Sequence, residues 1–169
     1  EGTVAYLMGR LAEVGPRDLV LDPLCGAGTI LIERGLTGPA GMLLGGDLDG
    51  DALVAARLSA EAAGVPIRLA RWDAATLPLK GLTLDRVVAN LPYGKKVDLR
   101  GDEGSGSLGI LLREMTRVLK PDGRMVLLVG DAEAVEEAVE ALGGSLRVLR
   151  KYRTSIRGVR PVIFVMKKS

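Results

Sequence analysis

Asn90-Leu91-Pro92-Tyr93-Gly94-Lys95-Lys96 is the stretch whose residue types folding alone explains least. Proline stops a sheet ladder, and a tyrosine in a turn exposes its ring. The chemistry it suits is that of a planar substrate bearing an amine. The Asn90 side-chain carbonyl and the Leu91 backbone carbonyl together accept both protons of an NH2 group, so that the nitrogen lone pair turns toward an electrophile, while Tyr93 stacks on the ring. A second stretch, Asp22-Pro23-Leu24-Cys25-Gly26-Ala27-Gly28-Thr29, is a glycine-rich turn that lets a ligand approach the backbone closely. Leu31 stands where a dinucleotide fingerprint has its third glycine, and no Gly-Lys-Ser/Thr is present, so the turn is not a phosphate cradle of either kind. Asp22 would repel phosphate and attract a cationic ligand. Cys25, in a chain without histidine to activate it, reads as packing under the turn rather than as a nucleophile.

Two further acids fall at corresponding places. In Gly46-Asp47-Leu48-Asp49, Asp47 is placed to accept hydrogen bonds from both hydroxyls of a ribose, Leu48 to pack on an adenine, and Asp49 to cap the following helix. In Trp72-Asp73-Ala74-Ala75, Asp73 is placed to accept from an adenine amine, whereas Trp72 reads as core.

The elements that must hold these residues alternate. Val4, Leu7, Met8, Leu11 and Val14 follow helical spacing up to Gly15-Pro16; Leu19 to Asp22 is a buried strand, and a short helix runs from about Gly28 to Gly35. Met42 to Asp47 is the second strand, Ala52 to Ala63 an alanine-rich helix closed by Gly64 and Pro66, Ile67 to Trp72 the third strand, and Asp85 to Asn90 the fourth. Gly101 to Gly109 reads as a mobile loop; Leu108 to Leu119 carries a helical stripe; Pro121-Asp122-Gly123 is a turn. Arg124 to Val129 is the fifth strand, and Asp131 is the N-cap of a helix bearing Val135, Ala138, Val139 and Leu142. Leu146 to Tyr152 and Val162 to Met166 form a closing antiparallel hairpin. The pattern predicts a Rossmann-like, doubly wound α/β fold with a seven-stranded sheet, mostly parallel with one antiparallel edge strand. Ligands of such folds sit beyond the carboxyl ends of the strands, where Asp22, Asp47, Asp73 and Asn90 fall.

At these residues the sequence resembles the class I S-adenosylmethionine-dependent methyltransferases. Within them, DPLCGAGTILIE and NLPYGKK are similar to the THUMP-associated RNA guanine-N2 methyltransferases, and MTRVLKPDGRMVLLV fits the same family. The resemblance implies that Asp22, Pro23, Cys25, Gly26, Ala27, Gly28 and Thr29 hold the methionine part of the cofactor, that Asp47 and Leu48 hold its ribose and adenine, and that Asp73 and Ala74 hold the adenine end. Asn90, Leu91, Pro92 and Tyr93 would then take the target amine, with Asn90 also bordering the cofactor. Leu91 departs from the proline more general at the second position, though its carbonyl survives. The product would be S-adenosylhomocysteine, and the substrate RNA, with tRNA expected. The family's N-terminal THUMP domain is missing, so residues 1–169 are expected to form a single catalytic domain, either a fragment or a stand-alone relative.

Composition agrees with this chemistry. One cysteine excludes an internal disulfide and a cysteine metal cluster, and zero histidines exclude histidine triads, an imidazole base and HExxH zinc sites, so no metal is expected. A sulfonium donor needs positioning rather than a strong base, because a methylated amine becomes acidic and sheds its proton afterwards. No run reaches the ~18 apolar residues of a membrane helix, and a cytoplasmic location is expected. The net charge of +2 hides an uneven distribution: Arg147, Arg150, Lys151, Arg153, Arg157, Arg160, Lys167 and Lys168 close the chain with no acid among them. A basic end of this kind meets a polyanion or is simply a solvated face. The first reading makes Lys95, Lys96, Arg153, Arg157 and Arg160 an RNA-binding rim. Other readings stay open: an amino-methyltransferase acting on rRNA guanine, DNA adenine or protein glutamine; a non-catalytic RNA-binding module; and a nicotinamide oxidoreductase, which Leu31 opposes.

Overall fold

The computed structural model describes residues 2–91, 108–155 and 158–169. Helix α1 (Gly2–Leu11) precedes strand β1 (Leu19–Asp22), α2 (Thr29–Leu36), β2 (Met42–Asp47), α3 (Gly50–Ala63), β3 (Arg68–Arg71) and β4 (Leu84–Asn90). Then come α4 (Leu108–Val118), β5 (Leu119–Val129), α5 (Ala132–Glu140), β6 (Leu146–Arg153) and β7 (Val162–Lys168). The strands lie in the order β3-β2-β1-β4-β5-β7-β6. Pairs β1–β2, β1–β4, β2–β3 and β4–β5 are parallel, and β7 runs antiparallel to both β5 and β6. The expected antiparallel edge is therefore the β6–β7 hairpin, with β7 as its reversed strand and β6 outermost.

Alternation along the strands sorts the side chains into two cores. Val87, Ala89, Met125, Leu127 and Phe164 face α4 and α5 and pack with Leu112, Met115 and Val135. Val88, Val126, Leu128, Ile163 and Val165 face the other way, onto Ala5 and Met8 of α1 and Ile30 and Leu31 of α2. Burial on both faces is why β4 and β5 read as continuous apolar runs. Asp49 caps α3, its carboxylate accepting from the backbone N–H of Asp51 and Ala52, and Gly64 ends that helix in the left-handed region at φ 65°. Asp131 caps α5 through the N–H of Ala134.

Three expectations need correction. The first helix stops at Leu11, before Val14, and the Val14 carbonyl instead accepts from the buried Arg34 guanidinium. Gly109, read as the end of a loop, lies in the first turn of α4, which starts at Leu108 as the helical stripe predicts, and residues 101–107 lie outside the described residues. Pro121-Asp122-Gly123 lies within β5, as an irregularity rather than as a turn between two elements. Leu84 pairs with Leu119 and Arg86 with Arg124, so β5 passes four intervening residues where β4 passes one. Asp122 takes φ 62° there, and a Cβ on Gly123 would meet Leu119 at 2.7 Å.

Candidate active site

The strand order reverses at β1, which has β2 on one side and β4 on the other, and the carboxyl ends of these strands frame the site. Asp22 closes β1 with only 1% of its surface exposed, one carboxylate oxygen accepting the Leu24 N–H at 3.2 Å. Burial raises its pKa to about 7, against the lowering effect of the Leu24 N–H, and the neighbouring Asp47 carboxylate pushes the same way as burial. The turn that follows needs its glycines. Gly26 and Gly28 take φ 50° and 79°, and the Cβ direction at Gly26 is open for 4 Å, so the backbone there is bare toward a ligand. At Gly28 a Cβ would meet that of Ala56 at 3.2 Å, so this glycine also lets α3 approach. Gly28 is the N-cap of α2 and offers no side-chain acceptor to its first amides.

Cys25 behaves as its sequence context predicts. Its N–H donates to the Gly46 carbonyl at 2.9 Å, and its sulfur lies buried against Gly45. Burial, with the Asp22 and Asp47 carboxylates, pushes the thiol up to about 12, which leaves no thiolate for attack.

Asp47 closes β2. Its Oδ2 accepts the Gly26 N–H at 2.9 Å and its Oδ1 accepts the Asp49 N–H at 3.0 Å. Leu48 stands 61% exposed just beyond, and Arg71 donates from Nε to its carbonyl at 2.9 Å. Asp73 forms a side-chain turn with the Ala75 N–H at 2.9 Å, while Ala74 puts its methyl into the core. Trp72 is core, as expected, with its indole N–H donating to the Pro23 carbonyl at 3.1 Å.

A cavity of about 350 Å³ opens between the turn and β4. Its walls include Asp22, Leu24, Cys25, Gly26, Ala27, Thr29 and Ile30 on one side and Asn90 and Leu128 on the other. Two of the predicted groups, the glycine turn and Asn90, therefore share one space, whereas Asp47, Leu48 and Asp73 lie outside these walls. Val4, Ala5 and Met8 of α1 complete the lining, and sequence reasoning assigned them no role. The helical stripe that includes Val4 and Met8 was the signal, but it reports only an apolar face. Asn90 is exposed and pairs in register with Leu128. Leu91 buries its side chain, and its N–H donates to the Leu128 carbonyl at 2.9 Å. Pro92, Tyr93, Lys95 and Lys96 lie outside the described residues, as does Arg157.

The basic end is divided. Lys151 pairs with Glu136 at 2.6 Å and lies over the Phe164 ring; Lys167 pairs with Asp122 at 2.8 Å. Lys168 donates to the carbonyls of Thr116 and Leu119, and the Tyr152 side chain raises the Arg150 guanidinium above its ordinary value. Arg153 and Arg160 are exposed and have no ion-pair partner among the described residues. Register puts them on the functional edge of the sheet. Asn90 pairs with Leu128, Leu128 with Ile163 and Ile163 with Tyr152, and Arg153 follows opposite Val162. The loop between β6 and β7 thus emerges at the carboxyl edge, three strand spacings from Asn90, or roughly 14 Å.

The UPF0020 family model, described as RMKL-like, methyltransferase domain, matches residues 1–161. The tRNA (guanine(6)-N2)-methyltransferase of Thermus thermophilus is 37% identical over 168 residues, covering 98% of this chain and 49% of that protein. The U6 snRNA (guanine-N(2))-methyltransferase THUMPD2 of Mus musculus is 37% identical over 131 residues, covering 76% of this chain and 24% of that protein. The crystal structure of TrmN from Thermus thermophilus superposes with a TM-score of 0.87 at 34% identity, covering 99% of this chain and 49% of that one. The chain spans between a quarter and a half of the length of these relatives.

Proposed function

The chain belongs to the UPF0020 family of RMKL-like methyltransferase domains, and on that premise we propose that it transfers a methyl group from S-adenosylmethionine to the exocyclic N2 amine of guanine in RNA, with tRNA as the RNA. The observation that carries this reading is the shared cavity: Asp22 and Gly26 of the turn line the same space as Asn90. Its volume of about 350 Å³ lies within the range of small-molecule sites. The names of the Thermus and Mus relatives, both guanine-N2 methyltransferases, support the same substrate class.

The residues present fit the cofactor. Asp22 is a buried carboxylate that accepts the Leu24 N–H and keeps further accepting capacity, a partner for a ligand ammonium. The uncapped first amides of α2 suit a ligand carboxylate. Asp47 carries one backbone hydrogen bond on each oxygen, which leaves each with further accepting capacity for ribose hydroxyls. The exposed Leu48 offers an apolar surface for adenine. When bound, S-adenosylmethionine supplies a methyl group already activated by its sulfonium.

The rest of the work is positioning. The Asn90 side-chain carbonyl and the Leu91 backbone carbonyl accept the two protons of the guanine amine and aim its lone pair into the cavity. Tyr93 stacks on the base, which has left its own stack to reach the site. The proton shed after transfer needs no imidazole, in keeping with a chain that has none. Arg153, Arg157 and Arg160, with Lys95 and Lys96, contact RNA phosphates beside the cavity, and phosphate contacts give affinity without sequence information. Site choice then rests with contacts other than these. The test is transfer of labelled methyl from S-adenosylmethionine to tRNA, U6 snRNA, DNA and protein side by side. Label on RNA alone is the expected result, and label on DNA or protein alone overturns the reading.

A further inference from the structure

Trp72 does not line the cavity, yet it joins three parts of the site. Its indole N–H donates to the Pro23 carbonyl at 3.1 Å, 49 residues earlier in the chain and one residue after Asp22. Its backbone N–H donates to the Asp47 carbonyl at 3.2 Å. Its ring lies so close over Gly46 that a Cβ there would fall 2.0 Å from Cε2. Gly46 in turn receives the Cys25 N–H, and Asp47 receives that of Gly26. A leucine or phenylalanine would also bury an apolar side chain here, though a smaller one and without a donor. What distinguishes tryptophan is a donor aimed at one carbonyl of the turn, with a glycine opposite that leaves room for its ring.

We propose that Trp72 is a positioning residue for the cofactor turn, an indole clamp that fixes Pro23 against Gly46 and thereby sets where Gly26 and the Asp47 carboxylate meet S-adenosylmethionine. The inference rests on the methyltransferase reading given above and adds to it a residue that acts through others. Without the indole N–H, the Pro23 carbonyl loses this partner and the turn can shift relative to β2. Cofactor binding then suffers, while the chemistry at Asn90, on another strand, does not.

Trp72 is the only tryptophan in the chain, so its indole N–H gives one nuclear magnetic resonance signal in the wild-type protein. That signal should exchange slowly with solvent and should shift when S-adenosylhomocysteine is added. Trp72→Phe should bind S-adenosylhomocysteine about tenfold more weakly by calorimetry, the size of one net hydrogen bond. In tRNA methylation its KM for S-adenosylmethionine should rise to match while kcat stays within about twofold, since the lost interaction is uniform binding. A folded Trp72→Phe with wild-type affinity, or one whose kcat falls at unchanged affinity, overturns the clamp and leaves the methyltransferase reading standing. So does a wild-type indole signal that exchanges freely and ignores the ligand, a result independent of whether the variant folds. A wild-type chain that binds no S-adenosylhomocysteine overturns the cofactor reading, and the clamp with it.

Discussion

The Oδ2 oxygen of Asp47 accepts the backbone N–H of Gly26 at 2.9 Å, which ties the end of β2 to the turn after β1. The acid proposed to hold the ribose is thus also a structural partner of the glycine proposed to face the cofactor. Asp47→Ala removes both roles. Two charge-assisted hydrogen bonds to the ribose correspond to a loss on the order of 100-fold in S-adenosylmethionine affinity, allowing for partial replacement by water. Calorimetry on the folded variant checks this, and an unchanged affinity would show that a different acid holds the ribose.

Asn90→Ala tests the other side of the cavity. The side chain is placed to orient the amine, so its loss should fall on turnover: kcat should drop by roughly 100-fold or more, with cofactor affinity nearly intact. Single-turnover kinetics on RNA beside a cofactor titration separates the two. Wild-type turnover in Asn90→Ala would remove the amine-positioning role.

The raised pKa of Asp22, about 7, makes cofactor binding sensitive to pH. Its carboxylate form is the partner for a cationic ligand, so S-adenosylhomocysteine affinity should rise with pH through about 7 and then level off. The nearby Asp47 carboxylate is one cause of the raised Asp22 value, and the Cys25 thiol, pushed up to about 12, stays protonated throughout. Asp22→Asn should flatten the profile.

Folding stability should move in the opposite sense. The folded value lies above the ordinary 3.8, so the Asp22 contribution is fully present below about pH 4 and is lost as pH rises through about 7. Between about pH 5 and about pH 8 the loss is on the order of 2–3 kcal/mol, and Asp22→Asn should abolish it. Urea midpoints at the two pH values provide the check.

Salt dependence tests the rim. Arg153 and Arg160 stand exposed at the carboxyl edge, without an ion-pair partner among the described residues. Replacing Arg153, Arg157 and Arg160 with alanine should flatten the slope of log affinity for tRNA against log salt by about two to three. An unaltered slope would return the basic end to a solvated face.

Most of the framework was legible because its signals are local. Asp22, Asp47 and Asn90 stand at the ends of strands that alternation and apolar runs delimit, and Asp49 and Asp131 cap helices as their positions predict. What escaped depends on residues distant in sequence. The stripe that includes Val4 and Met8 announces a helix with an apolar face, but only the sheet order puts that face, with Ala5, over the cavity. The Trp72 indole looked like core because nothing local points to Pro23, and it is core while also making that bond. Pro121-Asp122-Gly123 carries turn residues, yet pairing with β4 resumes at Arg124 and makes it an interruption within one strand. The eight cations of the basic end looked alike until Glu136 and Asp122 took Lys151 and Lys167 out of the free set.

The most direct measurement is the identity of the methylated nucleoside. Wild-type chain and Asn90→Ala are incubated with isotopically labelled S-adenosylmethionine and unmodified tRNA, and the digested nucleosides are resolved by mass spectrometry. The account predicts label in N2-methylguanosine with the wild type and a loss of that label with Asn90→Ala. Label on a ring nitrogen, a ribose oxygen or another base, or equal N2 label with both proteins, would contradict it.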